Sequence, residues 1–255
     1  MAAYSDDIGQ PVEFAGNPAR IVSLVPSLTE AIAVSVPGAL VGATDWCTHP
    51  ADLEVTRIGG TKNPDVATIE ELRPDLVVAN AEENREVDLN LLREAGLNVW
   101  VTDIRDVGAA IISIGRLFDA IGISEAGWLA EARDVWRNPP QVVDGKRLRA
   151  VIPIWRKPWM HVGSNTYAGD LLARLGIDNV LAGHEDRYPT IPIDELPAVD
   201  LIVLPDEPYQ FTTQDGPGFF PGTPCALVNG RLLTWYGPAM VTAATELVEQ
   251  LRSCR

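Results

Sequence analysis

Short apolar runs alternate with segments of helical periodicity along most of the chain, and this alternation restricts the fold more than any single motif. "RIVSLV" (20–25), "ALVGAT" (39–44), the apolar run at 75–79 and "LNVWVT" read as buried strands. Between them "PSLTEAIA" gives a helix in which Ser27 and Glu30 have the S-x-x-E spacing of a capping box. "TIEELRP" is a short helix stopped by Pro74, and "EVDLNLLREAG" a helix closed by Gly96. Such alternation implies a parallel sheet covered on both faces. From 104 to 138 the pattern is purely helical, until "NPPQ" ends it, since consecutive prolines cannot continue a helix. Strands at 148–155 ("LRAVIPIW") and 199–205 ("VDLIVLP") then frame a helix, "TYAGDLLARLG". "YGPAMVTAATELVEQLR" is a final helix with Pro238 near its first turn. The expected class is α/β, with two Rossmann-like lobes built on parallel central sheets. They span residues 1–103 and 145–255, joined by a helical connector at 104–144.

An internal repeat supports two lobes. "IEELRPDLVVAN" (69–80) and "IDELPAVDLIVLP" (193–205) each give an acidic short helix, a turn, an aspartate and a buried strand. The match needs one inserted residue, and coincidence is the other reading of so short a stretch. Open α/β sheets bind ligands beyond the carboxyl ends of their strands. Two such lobes would therefore face a ligand cleft from both sides.

Charge and cysteine content narrow the function. The 35 acidic residues outnumber 20 basic ones, for a formal net charge of -15, which excludes nucleic acid and disfavours an anionic membrane surface. Three cysteines, Cys47, Cys225 and Cys254, make no complete disulfide framework, and no CxxC occurs. The opening "MAAYSDDIGQPVEF" lacks a basic segment followed by an apolar run, and no stretch reaches the ~18 apolar residues of a membrane span. The chain as written is therefore expected in the cytoplasm, as a monomer without an intrinsic cofactor. No GxSxG, HExxH, Walker or GxGxxG fingerprint is present, so no enzyme is expected.

The loops after the expected strands, at 44–63, 80–85, 156–164, 205–222 and 235–238, carry or adjoin Trp46, Trp155, Trp159, Met160, Tyr209, Trp235 and Tyr236. Rings with an apolar face and a polar edge suit a large flat ligand, although Trp155 and Trp235 could equally finish the core. In "WCTHP", Cys47 and His49 could join His161 around an ion. Zinc, however, wants three or four ligands with second-shell support, which leaves these three as weak metal candidates. A single axial contact from His161 or His49 to a metal already held in a macrocycle is a further use. "GGTKNP" offers backbone amides and Lys62 to a carboxylate or phosphate, or is simply a turn. Arg156 could orient polar groups of a ligand. "AEEN" at 81–84 crowds two acids with nothing in sequence to protonate either, and Asp103 and Asp106 read as a turn and a helix cap.

"DDIGQPVEFAGNPARIVSLVPSLTEAI", "VGATDWCTHPADL", "IEELRPDLVVA", "LLREAGLNVWV" and "VGSNTYAGDLLARLGIDNVL" come in an order and spacing that resembles the helical-backbone (class III) substrate-binding proteins of ABC importers. These serve cobalamin, haem and iron-siderophores, and the cobalamin-binding branch is the nearest likeness. The resemblance covers about residues 6 to 250 and implies two lobes joined by a helix, a non-catalytic role and an extracytoplasmic setting. It places ring contacts on Trp46, Tyr188, Trp235 and Tyr236, with Met160 at another aromatic position and Trp159 beside it. Thr61 or Lys62 stands where a further ring is expected. Importer docking falls on Asp194, with Glu195 beside it, whereas the first-lobe acidic position reads Ala67, with Glu70 nearby. The implied ligand is a corrinoid or another metal chelate, and the implied partner an ABC permease. The other readings are a metal-handling protein or enzyme using Cys47, His49 and His161, and a cytosolic sensor or scaffold of the same fold. The stretch 124–137 would be ~21 Å long as an α-helix, short for such a backbone.

Overall fold

The computed structural model describes residues 2–14, 16–124 and 126–253, apart from the side chains of residues 2, 3 and 14. The chain divides into two compact units. The first holds the residues up to Ile104, then Ala109–Ala130 and Tyr236–Pro238; the second holds Arg105–Gly108, Glu131–Trp235 and the residues from Ala239 on.

The first unit opens with an antiparallel hairpin, β1 (Ala2–Ser5) and β2 (Pro11–Phe14). Next come β3 (Ile21–Ser23), α1 (Pro26–Ser35), β4 (Leu40–Ala43), β5 (Thr56–Arg57) and a small hairpin, β6 (Gly59–Gly60) with β7 (Asn63–Pro64). They are followed by α2 (Val66–Leu72), β8 (Leu76–Asn80), α3 (Glu86–Glu94), β9 (Val99–Thr102) and α4 (Val107–Ala120). The central sheet runs β5-β4-β3-β8-β9, all parallel. Its strands are apolar on both faces, as a doubly covered sheet requires: Ile21, Val22, Leu76, Val77 and Val78 are fully buried, beneath Leu28 and Ile32 of α1 and Ile69 of α2.

In the second unit, α5 (Gly127–Arg137) precedes β10 (Leu148–Val151), a hairpin of β11 (Pro153–Arg156) and β12 (Trp159–His161), α6 (Tyr167–Arg174) and β13 (Ile177–Asn179). Then come β14 (Leu201–Pro205), β15 (Cys225–Val228), α7 (Gly230–Thr234) and α8 (Met240–Arg252). The sheet runs β13-β10-β14-β15, again all parallel. The division between units cuts two helices. Val107 and Gly108 of α4 group with the second unit and the rest of it with the first, while the first four residues of α5 group with the first unit and the rest with the second.

The repeat is physical. The order β4-β3-β8-β9 in the first unit corresponds to β13-β10-β14-β15 in the second. The repeated aspartate does the same work twice. Asp75, just before β8, donates its amide to Arg20 O (2.8 Å) and accepts from Arg20 N at Oδ2 (2.9 Å). Asp200, just before β14, donates its amide to Arg149 O (2.9 Å) and accepts from Arg149 N at Oδ2 (2.9 Å). Each carboxylate thereby satisfies an amide at a strand's start and fixes the register of two parallel neighbours.

Several expectations need correction. Ser27 and Glu30 form no capping box: α1 starts at Pro26, the N-cap is Val25 without a side-chain bond, and Ser27 is buried inside the helix. Proline at the first helical position is preorganised for the turn and needs no donor there. "LRAVIPIW" is two strands, because Pro153 has no N–H for the ladder and the chain turns off into the β11–β12 hairpin. "LLTW" reads as a strand from its apolar residues but forms α7, since Asn229 accepts from Leu232 N (2.9 Å) and caps it. Pro238 does fall near the first turn of α8, immediately before its N-cap, Ala239.

Candidate functional site

At the carboxyl ends of β4 and β8, three loops of the first unit come together. The loop after β4 is fastened from within. Arg57 Nη1 donates to Thr44 O (3.0 Å) and Cys47 O (2.9 Å), and Nη2 to Leu53 O (3.5 Å). Cys47 is fully buried, accepts a hydrogen bond from Thr29 Oγ1 (3.0 Å) and shares one with Thr44 Oγ1 (3.1 Å). Burial raises the thiol's pKa above its ordinary value against the pull of both hydroxyls, so Cys47 is a neutral pin at neutral pH. The adjacent Trp46 is 66% exposed. Its indole nitrogen rests against the backbone of Gly60, where a Cβ would lie 3.6 Å from Nε1 and 2.8 Å from Asn63 Oδ1. The ring would thus meet a Cβ at ordinary contact distance, and the Asn63 side chain is what glycine at 60 leaves room for.

The third loop follows β8. Asn80 Oδ1 accepts from Glu82 N (2.9 Å) and Glu83 N (3.3 Å), and Asn84 returns a bond from Asn80 N (2.9 Å). Asn84 Nδ2 reaches Thr61 O (2.9 Å), and Lys62 Nζ donates to Glu82 O (2.6 Å), which ties this loop to the β6–β7 hairpin. Glu83 Oε1 accepts from the Tyr236 hydroxyl (3.2 Å). Glu83 keeps part of its surface in solvent, but protein packs closely around the carboxyl. Burial leads in lifting its pKa to about 7; Glu82 adds to the rise, and Tyr236 and Lys62 oppose it. Tyr236 is itself buried, and burial followed by the charge of Glu83 holds its phenol protonated. Sequence offers nothing to protonate either acid of "AEEN", whereas the folded surroundings of Glu83 push it towards its neutral form. The signal in sequence was slight: an acid placed three residues after a fully buried strand.

In the second unit, the β11–β12 hairpin carries Trp155, Arg156, Trp159 and Met160. Trp155 is 43% exposed, edge-on to Tyr209 with centroids 5.6 Å apart. Arg156 pairs with Asp215, which also accepts from the Tyr209 hydroxyl (2.5 Å), and the guanidinium lies 4.6 Å from the ring centre of Phe219. Trp159 stacks on Phe211 (6.1 Å) and meets Phe219 (5.5 Å) and Phe220 (5.6 Å) edge-on. The loop between β14 and β15 therefore folds its own aromatics over Trp159. Met160 is half-buried and bridges to Thr190. Tyr188 is half-buried with the Arg187 guanidinium 5.8 Å from its ring centre, and Trp235 is buried with Arg231 at 5.5 Å.

The metal candidates are not assembled as a ligand set. His161 is fully buried, with Nε2 bonded to Ile191 O (2.9 Å), and burial lowers its pKa. His49 is half-buried with Nδ1 3.1 Å from Thr48 Oγ1. Among the described residues, no group of three or more His, Cys, Asp or Glu is placed to hold an ion. Asp194 and Glu195 are exposed on a single 3-10 turn, Ile193–Glu195, and Ala67 and Glu70 are exposed on α2.

No protein-family model matches the sequence. The vitamin B12-binding protein of Vibrio cholerae is 24% identical over 183 residues, 69% of this chain and 66% of that relative, so the match spans just under two thirds of its length. An uncharacterised ABC transporter substrate-binding lipoprotein of Bacillus subtilis, YvrC, is 24% identical over 188 residues, 69% of this chain and 60% of YvrC. Among solved structures, the Vibrio cholerae periplasmic vitamin B12 binding protein BtuF superposes with a TM-score of 0.74 at 17% identity, over 94% of this chain and 99% of that one. The periplasmic haem-binding protein BhuT, with two haems, gives 0.76 at 21% identity over 94% and 99% of the two chains. The fold is that of the class III periplasmic binding proteins. Helicobacter pylori CeuE with bound Ni(II) extends the likeness, at 0.81 and 14% identity over 99% and 89%. BtuF and BhuT are described as periplasmic binding proteins and YvrC as a substrate-binding lipoprotein, which overturns the cytoplasmic expectation. That expectation rested on the opening residues alone. No helix of the described residues is long and apolar enough to cross a membrane.

Proposed function

We propose that the protein is a non-catalytic, extracytoplasmic substrate-binding protein that captures a planar metal chelate of the corrinoid or haem class for an ABC-type importer. Relatives named for vitamin B12 and structural neighbours for haem support this choice of ligand class. The observation that carries it is Trp46: a 66% exposed indole, held on a loop pinned by Cys47 and Arg57, at the carboxyl end of a parallel sheet. An exposed ring on a rigid mount is expensive to keep without an occupant, because burying its face against a flat ligand gains ~25 cal/mol per Å² of apolar area. Trp155 offers a second exposed indole in the other unit, with Trp159 and Met160 near it in sequence and Tyr188 further along the chain. The lobes at 1–103 and 145–255, the connector at 104–144 and importer docking through Asp194 and Glu195 belong to the same proposal.

Titration of the purified protein with cobalamin, cobinamide, haemin and a ferric siderophore tests it. One of the first three is expected to quench tryptophan emission to saturation at one equivalent, and Trp46→Ala to weaken that binding at least tenfold. Flat titrations with all four would remove the reading.

A further inference from the structure

We infer that Glu83, held by Tyr236, makes this site select chelates whose edge carries neutral amides over those whose edge carries carboxylates. The inference rests on the proposed function and names the ligand chemistry that the same site accepts. Three loops meet within reach of Trp46, and their polar groups have a clear balance. Lys62, an exposed residue of the β6–β7 hairpin, is already donating to Glu82 O at 2.6 Å. Two carboxyls, Glu82 and Glu83, stand against it. The guanidinium of Arg57 is spent on the carbonyls of Thr44, Cys47 and Leu53 within its own loop.

Glu83 matters most because it is fixed. Its amide is tied to Asn80 Oδ1 (3.3 Å) and its Oε1 accepts from a buried phenol at 3.2 Å, so the residue is held at both its backbone and its carboxyl. A ligand carboxylate brought beside it meets a like charge in a partly desolvated place, which is strongly unfavourable. A primary amide instead donates N–H to the carboxylate, a charge-assisted bond. The groups facing Glu83 are Glu82 on its own loop, Lys62 from the β6–β7 hairpin, Cys47 from the loop after β4 and Tyr236 from the 236–238 segment. Cys47 and Tyr236 are neutral near pH 7, so the discrimination belongs to the carboxyls and Lys62.

Matched ligands isolate the edge from the ring. Dicyanocobinamide and dicyanocobyrinic acid share one macrocycle, with amides in the first where the second has carboxylates; haemin and its bis-amide form a second such pair. At pH 8 the amide member of a bound pair is expected to bind at least tenfold tighter. The margin should fall several-fold at pH 6, where Glu83 takes up a proton, and be nearly abolished at both pH values in Glu83→Gln. Tyr236→Phe supplies an independent variant: without the phenol's hydrogen bond the carboxyl holds its proton to higher pH, so the margin should open at higher pH than in the parent. Amide-edged binding with a margin unchanged by pH and by both variants would overturn the inference and leave the receptor reading standing. Absence of binding by all four ligands would remove both.

Discussion

The hydroxyl of Tyr236 donates to Oε1 of Glu83 at 3.2 Å across 153 positions of sequence, closing the loop after β8 with a residue that follows α7. This bond stabilises the charged form of an acid whose surroundings favour the neutral one. The balance leaves Glu83 titrating near pH 7, where a small change in its neighbours changes its charge.

Stability should depend on pH through this group. The folded pKa of about 7 lies above the ordinary 4.5, so the folded state binds the proton more tightly between those values. The contribution of Glu83 is therefore most favourable below pH 4.5 and is lost as pH rises towards and through 7. Glu83→Gln should raise stability at pH 8 by on the order of 1–2 kcal/mol, allowing for partial exposure, and change it little at pH 4.5. Urea unfolding of both proteins at the two pH values checks this; equal differences at both would refute it.

Two tryptophans, one in each unit, should separate binding from folding. Trp46 is 66% exposed, so Trp46→Ala should alter stability by less than about 0.5 kcal/mol. Trp159 packs on Phe211, Phe219 and Phe220, and Trp159→Ala should cost about 2–4 kcal/mol. Thermal unfolding of the pair decides it: a large loss in Trp46→Ala would mean that its ring serves the core.

The alternation of strand and helix, and hence the parallel sheets, was legible because buried parallel strands are continuously apolar. Asp75 and Asp200 were legible as repeated letters, and their reciprocal bonds to Arg20 and Arg149 explain why the letters recur. The β11–β12 hairpin was hidden, since "LRAVIPIW" is apolar throughout and only Pro153 marks the break. β13 and β15 escaped for a similar reason: at three and four residues, with Asp178 and Cys225 in them, they offer no periodic window. At the site, Trp46 could be placed after β4 from its sequence position. The burial of Glu83 depends on Tyr236, far away in the chain, and no local pattern encodes that. Likewise the cover over Trp159 comes from Phe211, Phe219 and Phe220, some fifty to sixty positions on, whose aromatic character reads equally well as loop or core.

A glycine supplies a sharp test of the second unit. Gly163 donates its amide to Arg187 O (2.8 Å), and a Cβ there would strike Asp186 O, with Pro189 Cδ at 2.7 Å and Arg187 O at 3.0 Å. Backbone cannot yield as a flexible side chain does. Gly163→Ala should therefore lower stability by at least about 2 kcal/mol, whereas exposed Gly183→Ala, with nothing within 4 Å, should stay within about 0.5 kcal/mol. Chemical denaturation of the two variants distinguishes steric closure from the general cost of changing a loop glycine.

Thiol chemistry reports on the mount beneath Trp46. Cys47 is fully buried, and burial raises its pKa above the ordinary 9.0 despite bonds with Thr29 and Thr44. Reaction needs both the thiolate and access, and the folded loop withholds both. In a Cys225→Ser/Cys254→Ser background, an aromatic disulfide reagent at pH 8 should label the native protein at least a hundredfold more slowly than the same protein in urea. Labelling in the native state then has to wait for local opening, so its rate measures how firmly the Trp46 loop is held. Thr29→Val, which removes one hydroxyl without emptying the space, should raise the thiol's pKa further and leave native labelling slow. Rapid native labelling in the parent would mean that the loop opens freely, and Trp46 would then have no rigid base from which to grip a ligand.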